Sequence, residues 1–269
     1  MSGASSTCLI LGARGFVGSA LVAEAERRGY RTWPVDVDEY AAARGTVCDL
    51  LINANGNSKK YLAAQDPAGE FDLSVRSVAH ALQDFRYRRY VHLSTVDVYP
   101  EHADPARNAE DAVIDTARLS PYGLHKLLAE QLVRYYARDW LVLRLAGLVG
   151  RGLRKNSVYD LLKGRPLRVH PDSAYQYLHT RDLARLVFEL AESAGSAETW
   201  NVAGDGLITL REVAALIPGC VPTTAVADAP LERYAINISK LKAWQPVPAT
   251  VETVRQFVRA VLAGEEVLA

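Results

Sequence analysis

Tyr122 and Lys126 stand four residues apart in SPYGLHK (120–126), in the first turn of a helix that Pro121 would open. Side chains at i and i+4 share one helix face. A free phenol has a pKa near ~10, too high for good proton exchange at neutral pH. An ammonium beside it stabilises the phenolate, lowers that value and makes tyrosine a usable general acid–base. Thr95 closes the apolar run YVHLST, where a parallel strand delivers side chains to its carboxyl edge. Its hydroxyl can hydrogen-bond a substrate oxygen beside the phenol. The tyrosine–lysine spacing is common on ordinary helices, so this chemistry requires a cofactor site elsewhere in the chain.

LILGARGFVGSAL supplies a candidate. Gly12, Gly15 and Gly18 follow an apolar strand and precede a helix. Glycines there permit a tight turn and let backbone N–H groups approach a pyrophosphate at the helix N-terminus, where the dipole favours negative charge. Asp36 ends the second strand 24 positions after Gly12. Its carboxylate can accept hydrogen bonds from the adenosine ribose and would repel the extra phosphate of NADP. Arg14, inside the turn, can stack on adenine or attract a 2′-phosphate. One carboxylate against one guanidinium favours NAD over NADP.

The elements that must position these groups alternate. Strands are expected at 7–12, 30–37, 48–56, 89–96 and 139–150, with helices after Gly15, from about Phe71 to Phe85, and from Pro121. That alternation indicates an α/β fold, a doubly wound parallel sheet covered on both faces. After Gly150 the chain becomes loop-rich and basic. RDLARLVFELAES (181–193) then reads as an amphipathic helix and ETWNVAG as one more strand. The expected organisation is a dinucleotide-binding domain over 1–150, rejoined by 176–204, and a small substrate-binding lobe from 151–175 and 205–269.

Composition narrows the partners. The 269 residues are 49% hydrophobic, with 31 basic and 31 acidic side chains. This balance offers no electrostatic case for nucleic acid or an anionic membrane. Cys8, Cys48 and Cys220 are scattered without metal-ligand spacing, which argues against zinc or a disulfide framework and suits a reducing cytosol. No basic leader and no apolar stretch of about 20 residues are evident, so a cytoplasmic protein is expected.

GARGFVG, INANG, HLSTVDVY, SPYGLHK, YLHTRDLA, WNVAG and ISKLKAWQPV occur in an order that resembles the extended short-chain dehydrogenase/reductases, in particular the NAD-dependent epimerase/dehydratase family. The resemblance spans almost the whole chain. It implies a Rossmann-type domain with a small C-terminal lobe and a catalytic set of Thr95, Tyr122 and Lys126. The hydroxyl four residues before Tyr99 selects Thr95 over Ser94. It also implies a cofactor cradle of Gly12, Arg14, Gly15, Phe16, Val17, Gly18 and Asp36, with Asn53, Ala54 and Asn55 from INANG, and with Tyr122 and Lys126 reaching the nicotinamide side.

Three departures from the family pattern stand out. Only about a dozen residues separate Asp36 from DLLINANG, so the usual third strand and helix are cut short. Val96 and Asp97 follow Thr95 where the dehydratases carry an acidic pair. Ala146 and Gly147 follow LRL where many relatives place an asparagine that helps bind sugar-nucleotide phosphates.

GRGLRKN places Arg151, Arg154, Lys155 and Asn156 after a sheet strand, where they can pair with a diphosphate or carboxylate. Asp97 and Tyr175 complete the candidate substrate contacts. On the Pro121 helix, Leu124, Leu127, Leu128 and Tyr135 form a stripe roughly opposite the reactive face and call for a cover, which a second subunit would supply. The expected activity is an NAD-dependent oxidoreductase of the sugar epimerase/dehydratase type, acting on a nucleotide-activated sugar as a homodimer. An NAD(P)H-dependent ketoreductase and a non-catalytic NAD(P)-binding sensor or scaffold are the alternatives.

Overall fold

The computed structural model describes residues 6–57 and 60–269. The chain opens with β1 (Thr7–Leu11), α1 (Gly18–Arg27), β2 (Arg31–Val35), α2 (Val37–Ala43) and β3 (Val47–Asn53). α3 (Lys60–Gln65) and α4 (Pro67–Phe71) lead into a π-helical turn over Asp72–Arg76 and then α5 (Ser77–Asp84). β4 (Arg86–Thr95), α6 (Pro121–Tyr136) and β5 (Trp140–Leu145) follow. The remainder contains β6 (Gly147–Val149), α7 (Ser157–Leu162), β7 (Ala174–Tyr175), β8 (Tyr177–His179), α8 (Thr180–Ser193) and β9 (Glu198–Val202). β10 (Ile208–Thr209), α9 (Leu210–Ala215), α10 (Ser239–Trp244) and α11 (Thr250–Leu262) complete it.

The main sheet has the order β2-β1-β3-β4-β5-β9. The pairs β1/β2, β1/β3, β3/β4 and β4/β5 are all parallel. From β1 the chain passes to β2 on one side, then returns to lay β3 on the other. This reversal opens a crevice at the carboxyl ends of β1 and β3, the usual ligand position in a doubly wound sheet. β2 is the edge strand of this sheet, and its Pro34, which lacks an N–H, is tolerated there. The shortened region after Asp36 has become α2 and a turn at Gly45, which lead straight into β3.

Leu9, Leu11, Leu51, Tyr90 and Val142 from the strands pack with Val78, Leu82, Ala129 and Val133 from α5 and α6. Tyr30, just before β2, packs against Phe188 of α8, with the rings 5.3 Å apart. On α6, Leu128 and Tyr135 are exposed as the stripe expects, but Leu127 is buried. Leu127 packs inward because it follows Lys126 on a helix whose Tyr122, Lys126 and Glu130 are themselves turned inside.

Two compact units form. The first comprises 1–100, 113–145 and 184–200; the second comprises 101–112, 146–183 and 201–269. The expected single strand over 139–150 is two strands. β5 ends at Leu145, and β6 pairs instead with β8. A Cβ on Gly147 would lie 2.6 Å from the Gln176 carbonyl oxygen, so only glycine allows that approach. Residues 101–112 join the second unit because Asn201 Nδ2 donates to the carbonyls of Asn108 and Asn237, while Asn108 Nδ2 donates to that of Ala235. Residues 176–183 belong there too, held by the β6/β8 pair and by α11 against β8.

Candidate active site

The glycine turn is shaped by close backbone approach. Gly12 has φ +76°, and a Cβ there would meet the Ala54 carbonyl group and the Asn55 nitrogen at 3.0 Å. A Cβ on Gly18 would sit 2.0 Å from the Gly12 carbonyl oxygen, so α1 can start against the strand only with glycine. Val17 precedes α1 and offers no side-chain cap, which leaves the first amides of the helix open to an anion. Phe16 lies in the same turn. These features fit a dinucleotide pyrophosphate.

Asp36 follows β2 directly and braces this turn. Its Oδ2 accepts the Arg14 backbone N–H at 2.7 Å and lies 3.3 Å from the Arg14 guanidinium. The guanidinium also reaches Glu39 Oε2 at 2.7 Å and Asp38 at 3.4 Å. In the chain alone, Arg14 is held by three carboxylates.

The exit of β3 is where the cradle meets the reactive side chains. Asn53 is buried, donates from Nδ2 to the Tyr90 hydroxyl at 2.7 Å and accepts the Asn55 N–H at 3.0 Å. Ala54 backs onto Gly12. Two residues on, a Cβ at Gly56 would touch Lys126 Nζ at 3.1 Å, and Tyr122 Oη donates to the Asn57 carbonyl at 3.2 Å. α6 in turn packs onto the end of β4: a Cβ on Gly123 would lie 2.3 Å from the Asp97 carbonyl oxygen. Pro121 occupies the first turn, and Ser120 Oγ accepts the Gly123 N–H at 3.1 Å, which sets where α6 begins.

Thr95 Oγ1 donates to Asp97 Oδ2 at 2.9 Å and accepts the Asp97 N–H at 3.2 Å. Asp97 Oδ1 pairs with Lys60 Nζ at 2.6 Å. The Thr95 hydroxyl proton is thus committed, and a lone pair of that oxygen is what remains to meet a ligand. Thr95, Asp97, Tyr122 and Lys126 are all buried.

Electrostatics differ from the sequence expectation at Tyr122. Burial, reinforced by Asp97 and Glu70, pushes its phenol well above the usual tyrosine value. Lys126 does not offset this in the chain alone. Burial pulls the Lys126 ammonium down from its ordinary range, against the opposing pull of Glu70, Glu130 and Asp97. His92, fully buried on β4, is lowered to about 3 by burial and by Lys126, so it is a neutral imidazole at pH 7.

Beneath the site lies a polar cluster that the sequence reading missed. Glu130, with no exposed surface, accepts from Ser94 Oγ at 2.6 Å, from Arg144 at 3.1 and 2.9 Å, and from Arg134 at 3.0 Å. Arg144 also donates to the Tyr99 hydroxyl at 2.7 Å. Burial pushes the Glu130 carboxyl up, but Arg144, Arg134 and Ser94 together hold the group below the usual glutamate range. Two signals pointed here: the four-residue rhythm Tyr122, Lys126, Glu130, and a lone arginine in the apolar run LVLRLA. Glu70, Ser74 and His125 form a second buried polar contact, beside the π-helical turn.

The remaining candidates lie in the second unit. Arg151, Arg154 and Lys155 are exposed on the segment between β6 and α7. Asn156 caps α7, accepting the Tyr159 N–H at 2.9 Å, and donates to the Leu148 carbonyl at 2.9 Å. Tyr175 donates to Glu232 at 2.8 Å and stacks on Tyr234 at 5.5 Å.

A family model described as the NAD dependent epimerase/dehydratase family matches residues 8–71 and 48–203. The dTDP-glucose 4,6-dehydratase of Shigella flexneri is 24% identical, over 85% of this chain and 80% of its own length. Among solved structures, MoeE5 in complex with UDP-glucuronic acid and NAD superposes with a TM-score of 0.79 at 18% identity, over 95% of this chain and all of its own. The dTDP-4-dehydrorhamnose reductase from Bacillus anthracis str. Ames, in complex with NADP, gives 0.78 at 18% identity, over 96% of this chain and 99% of its own. These structural likenesses establish the Rossmann-type fold.

Proposed function

Because the chain belongs to the NAD dependent epimerase/dehydratase family, we propose that it is an NAD-dependent oxidoreductase of the sugar epimerase/dehydratase type acting on a nucleotide-activated sugar. The observation that carries this reading is the convergence at the β3 exit, where Gly12 meets Ala54, Lys126 meets Gly56 and Tyr122 meets Asn57. A dinucleotide laid over the glycine turn would have its reactive end beside the phenol and the ammonium.

The bound nicotinamide supplies hydride acceptance and return; the chain supplies the rest. Tyr122 Oη exchanges the proton of a substrate hydroxyl. Lys126 provides a buried positive charge that favours the phenolate and can hold the nicotinamide ribose. Thr95 presents a lone pair that positions the substrate hydroxyl, with Asp97 and Lys60 fixing the direction of its own proton. Burial of all three catalytic groups excludes water from the reacting centre.

NAD is favoured because Asp36, the proposed ribose carboxylate, stands with Asp38 and Glu39 around one arginine, an environment that repels a 2′-phosphate. A relative named for dTDP-glucose and a structural neighbour holding UDP-glucuronic acid support a nucleoside-diphosphate sugar as substrate. Arg151, Arg154 and Lys155 are the proposed diphosphate contacts, with Tyr175 and Asp97 as further substrate contacts; Asn156 sets their loop onto α7. The small lobe for the sugar nucleotide is drawn from 151–175 and 205–269.

The outer face of α6 supports a homodimer as part of this reading. A groove of about 650 Å³ lined by Phe71, Val75, Leu128, Leu132 and Tyr135 leaves apolar surface uncovered. A second copy would cover it, and a monomeric profile in light scattering at micromolar concentration would remove that part of the reading. Cys8, Cys48 and Cys220 are free thiols, as suits a reducing cytosol. No helix among the described residues is long and apolar enough to cross a membrane.

The deciding experiment incubates the purified protein with UDP-glucose, UDP-glucuronic acid and dTDP-glucose and follows bound and free cofactor at 340 nm. NAD that stays bound through turnover with no net reduction supports the epimerase/dehydratase cycle. Stoichiometric consumption of NADPH when a 4-keto sugar nucleotide is supplied would replace it with a ketoreductase, and dinucleotide binding without turnover of any sugar would point to a sensor.

A further inference from the structure

We infer that Glu39 is a cofactor-specificity residue: it latches the Arg14 guanidinium away from the adenosine ribose and so withholds from the site a cation able to take a 2′-phosphate. The inference rests on the dinucleotide reading above and concerns a residue that the glycine turn and the ribose carboxylate do not themselves include.

Arg14 lies inside the turn that would hold the pyrophosphate, and its backbone N–H is fastened to Asp36 at 2.7 Å. Its side chain, 61% exposed, is free to choose among partners on α2. The shortest contact goes to Glu39 Oε2 at 2.7 Å, with Asp36 and Asp38 at 3.3 and 3.4 Å. Glu39 is also the largest influence raising the Arg14 guanidinium above its ordinary value. The same Glu39 oxygen accepts the Asp36 N–H at 3.2 Å, so the latch is anchored to the helix start rather than carried on a free side chain.

The arrangement has a specific consequence. A guanidinium beside the ribose is the usual means of accepting a 2′-phosphate. Here that guanidinium is already engaged by carboxylates, and an incoming phosphate would have to displace Glu39 while lying next to Asp36. NAD, with ribose hydroxyls only, needs no such displacement. Asp36 supplies the repulsion, and Glu39 withholds the attraction.

The test titrates the full-length chain with NADH and NADPH, read by calorimetry or fluorescence, so it needs no sugar substrate. In Glu39→Gln the amide oxygen can still accept the Asp36 N–H, while the charge that holds Arg14 is gone. NADPH affinity should rise about tenfold, of the order that one freed charge-assisted hydrogen bond supplies at an exposed site. NADH affinity should stay within about threefold. The gain should disappear in Arg14→Ala/Glu39→Gln, and matching thermal midpoints for the two Glu39→Gln proteins establish that both are folded. An unchanged NADPH affinity in Glu39→Gln, with NADH binding intact, overturns the latch alone. A gain that survives loss of Arg14 also overturns it, because simple charge removal would then suffice. A wild-type chain that binds neither dinucleotide overturns the dinucleotide reading, and the latch with it.

Discussion

At the dinucleotide turn, Gly12, Gly15 and Gly18 act through the side chains they lack; behind Tyr122, by contrast, Ser94, Glu130, Arg144 and Tyr99 act through polar groups sealed from water. Both regions lie at the carboxyl edge of one sheet. The turn is made of backbone, and its charged residues Arg14, Asp38 and Glu39 are solvent-facing. The corner under α6 is made of side chains from β4, α6 and β5, and its central ion pair is 3% and 0% exposed. A site shaped by sterics tolerates no added atom; one held by buried charge tolerates no missing partner.

The largest expected effect breaks the corner at its reactive end. Tyr122→Phe should lower turnover by about 10²–10⁴-fold, the usual contribution of a general acid–base, while NAD affinity stays near wild type. Activity that survived this change would remove Tyr122 from the chemistry.

Next comes the support beneath it. Glu130→Ala strands Arg144 in the interior, and loss of one partner of a buried pair costs about 3–5 kcal/mol, which chemical denaturation would read. The pH dependence has a definite sign. The folded Glu130 carboxyl lies below its ordinary 4.5, so its contribution is full above that pH and is lost as the solution is acidified through the lowered value. A Glu130→Ala protein should therefore show a shallower loss of stability on acidification than wild type.

At the turn, Gly18→Ala places a Cβ 2.0 Å from the Gly12 carbonyl oxygen. Stability should fall by about 1–3 kcal/mol through overpacking, with NAD affinity reduced at least about tenfold, as calorimetry would show. Normal NAD affinity in a folded Gly18→Ala chain would mean that the glycine contact does not shape the cradle.

The smallest effect sits where the two styles meet. Lys60 is 57% exposed and Asp97 10%, so Lys60→Met should change stability by less than about 1 kcal/mol in thermal unfolding. A loss as large as that of Glu130→Ala would mean that the Lys60–Asp97 pair belongs to the buried network.

Much of this is legible in the sequence. Gly12, Gly15 and Gly18 are recognisable because their role is local, a turn between one strand and the next helix. Tyr122 and Lys126 are recognisable because helix geometry puts i and i+4 on one face. Glu39 escaped notice because its partner, Arg14, lies 25 positions away and meets it only when β1 and β2 pair. The electrostatics of Tyr122 also needed the fold: a neighbouring lysine suggests a lowered phenol, whereas burial with Asp97 and Glu70 raises it in the chain alone. The run 139–150 looked like one strand because its apolar character is continuous, yet the approach of Gly147 to Gln176 moves its second half into a different sheet.

By itself the sequence determined the alternating α/β order, the glycine turn, the Tyr122–Lys126 face and the family, because each is written in short-range spacing or in motif order along the chain. Only the tertiary structure decided that Thr95 gives its proton to Asp97, that Arg14 is held by Glu39, and that Glu130 ties α6 to β4 and β5. Those choices depend on which side chains meet across strands and how completely water is removed from between them, and neither is encoded at any fixed separation in the chain.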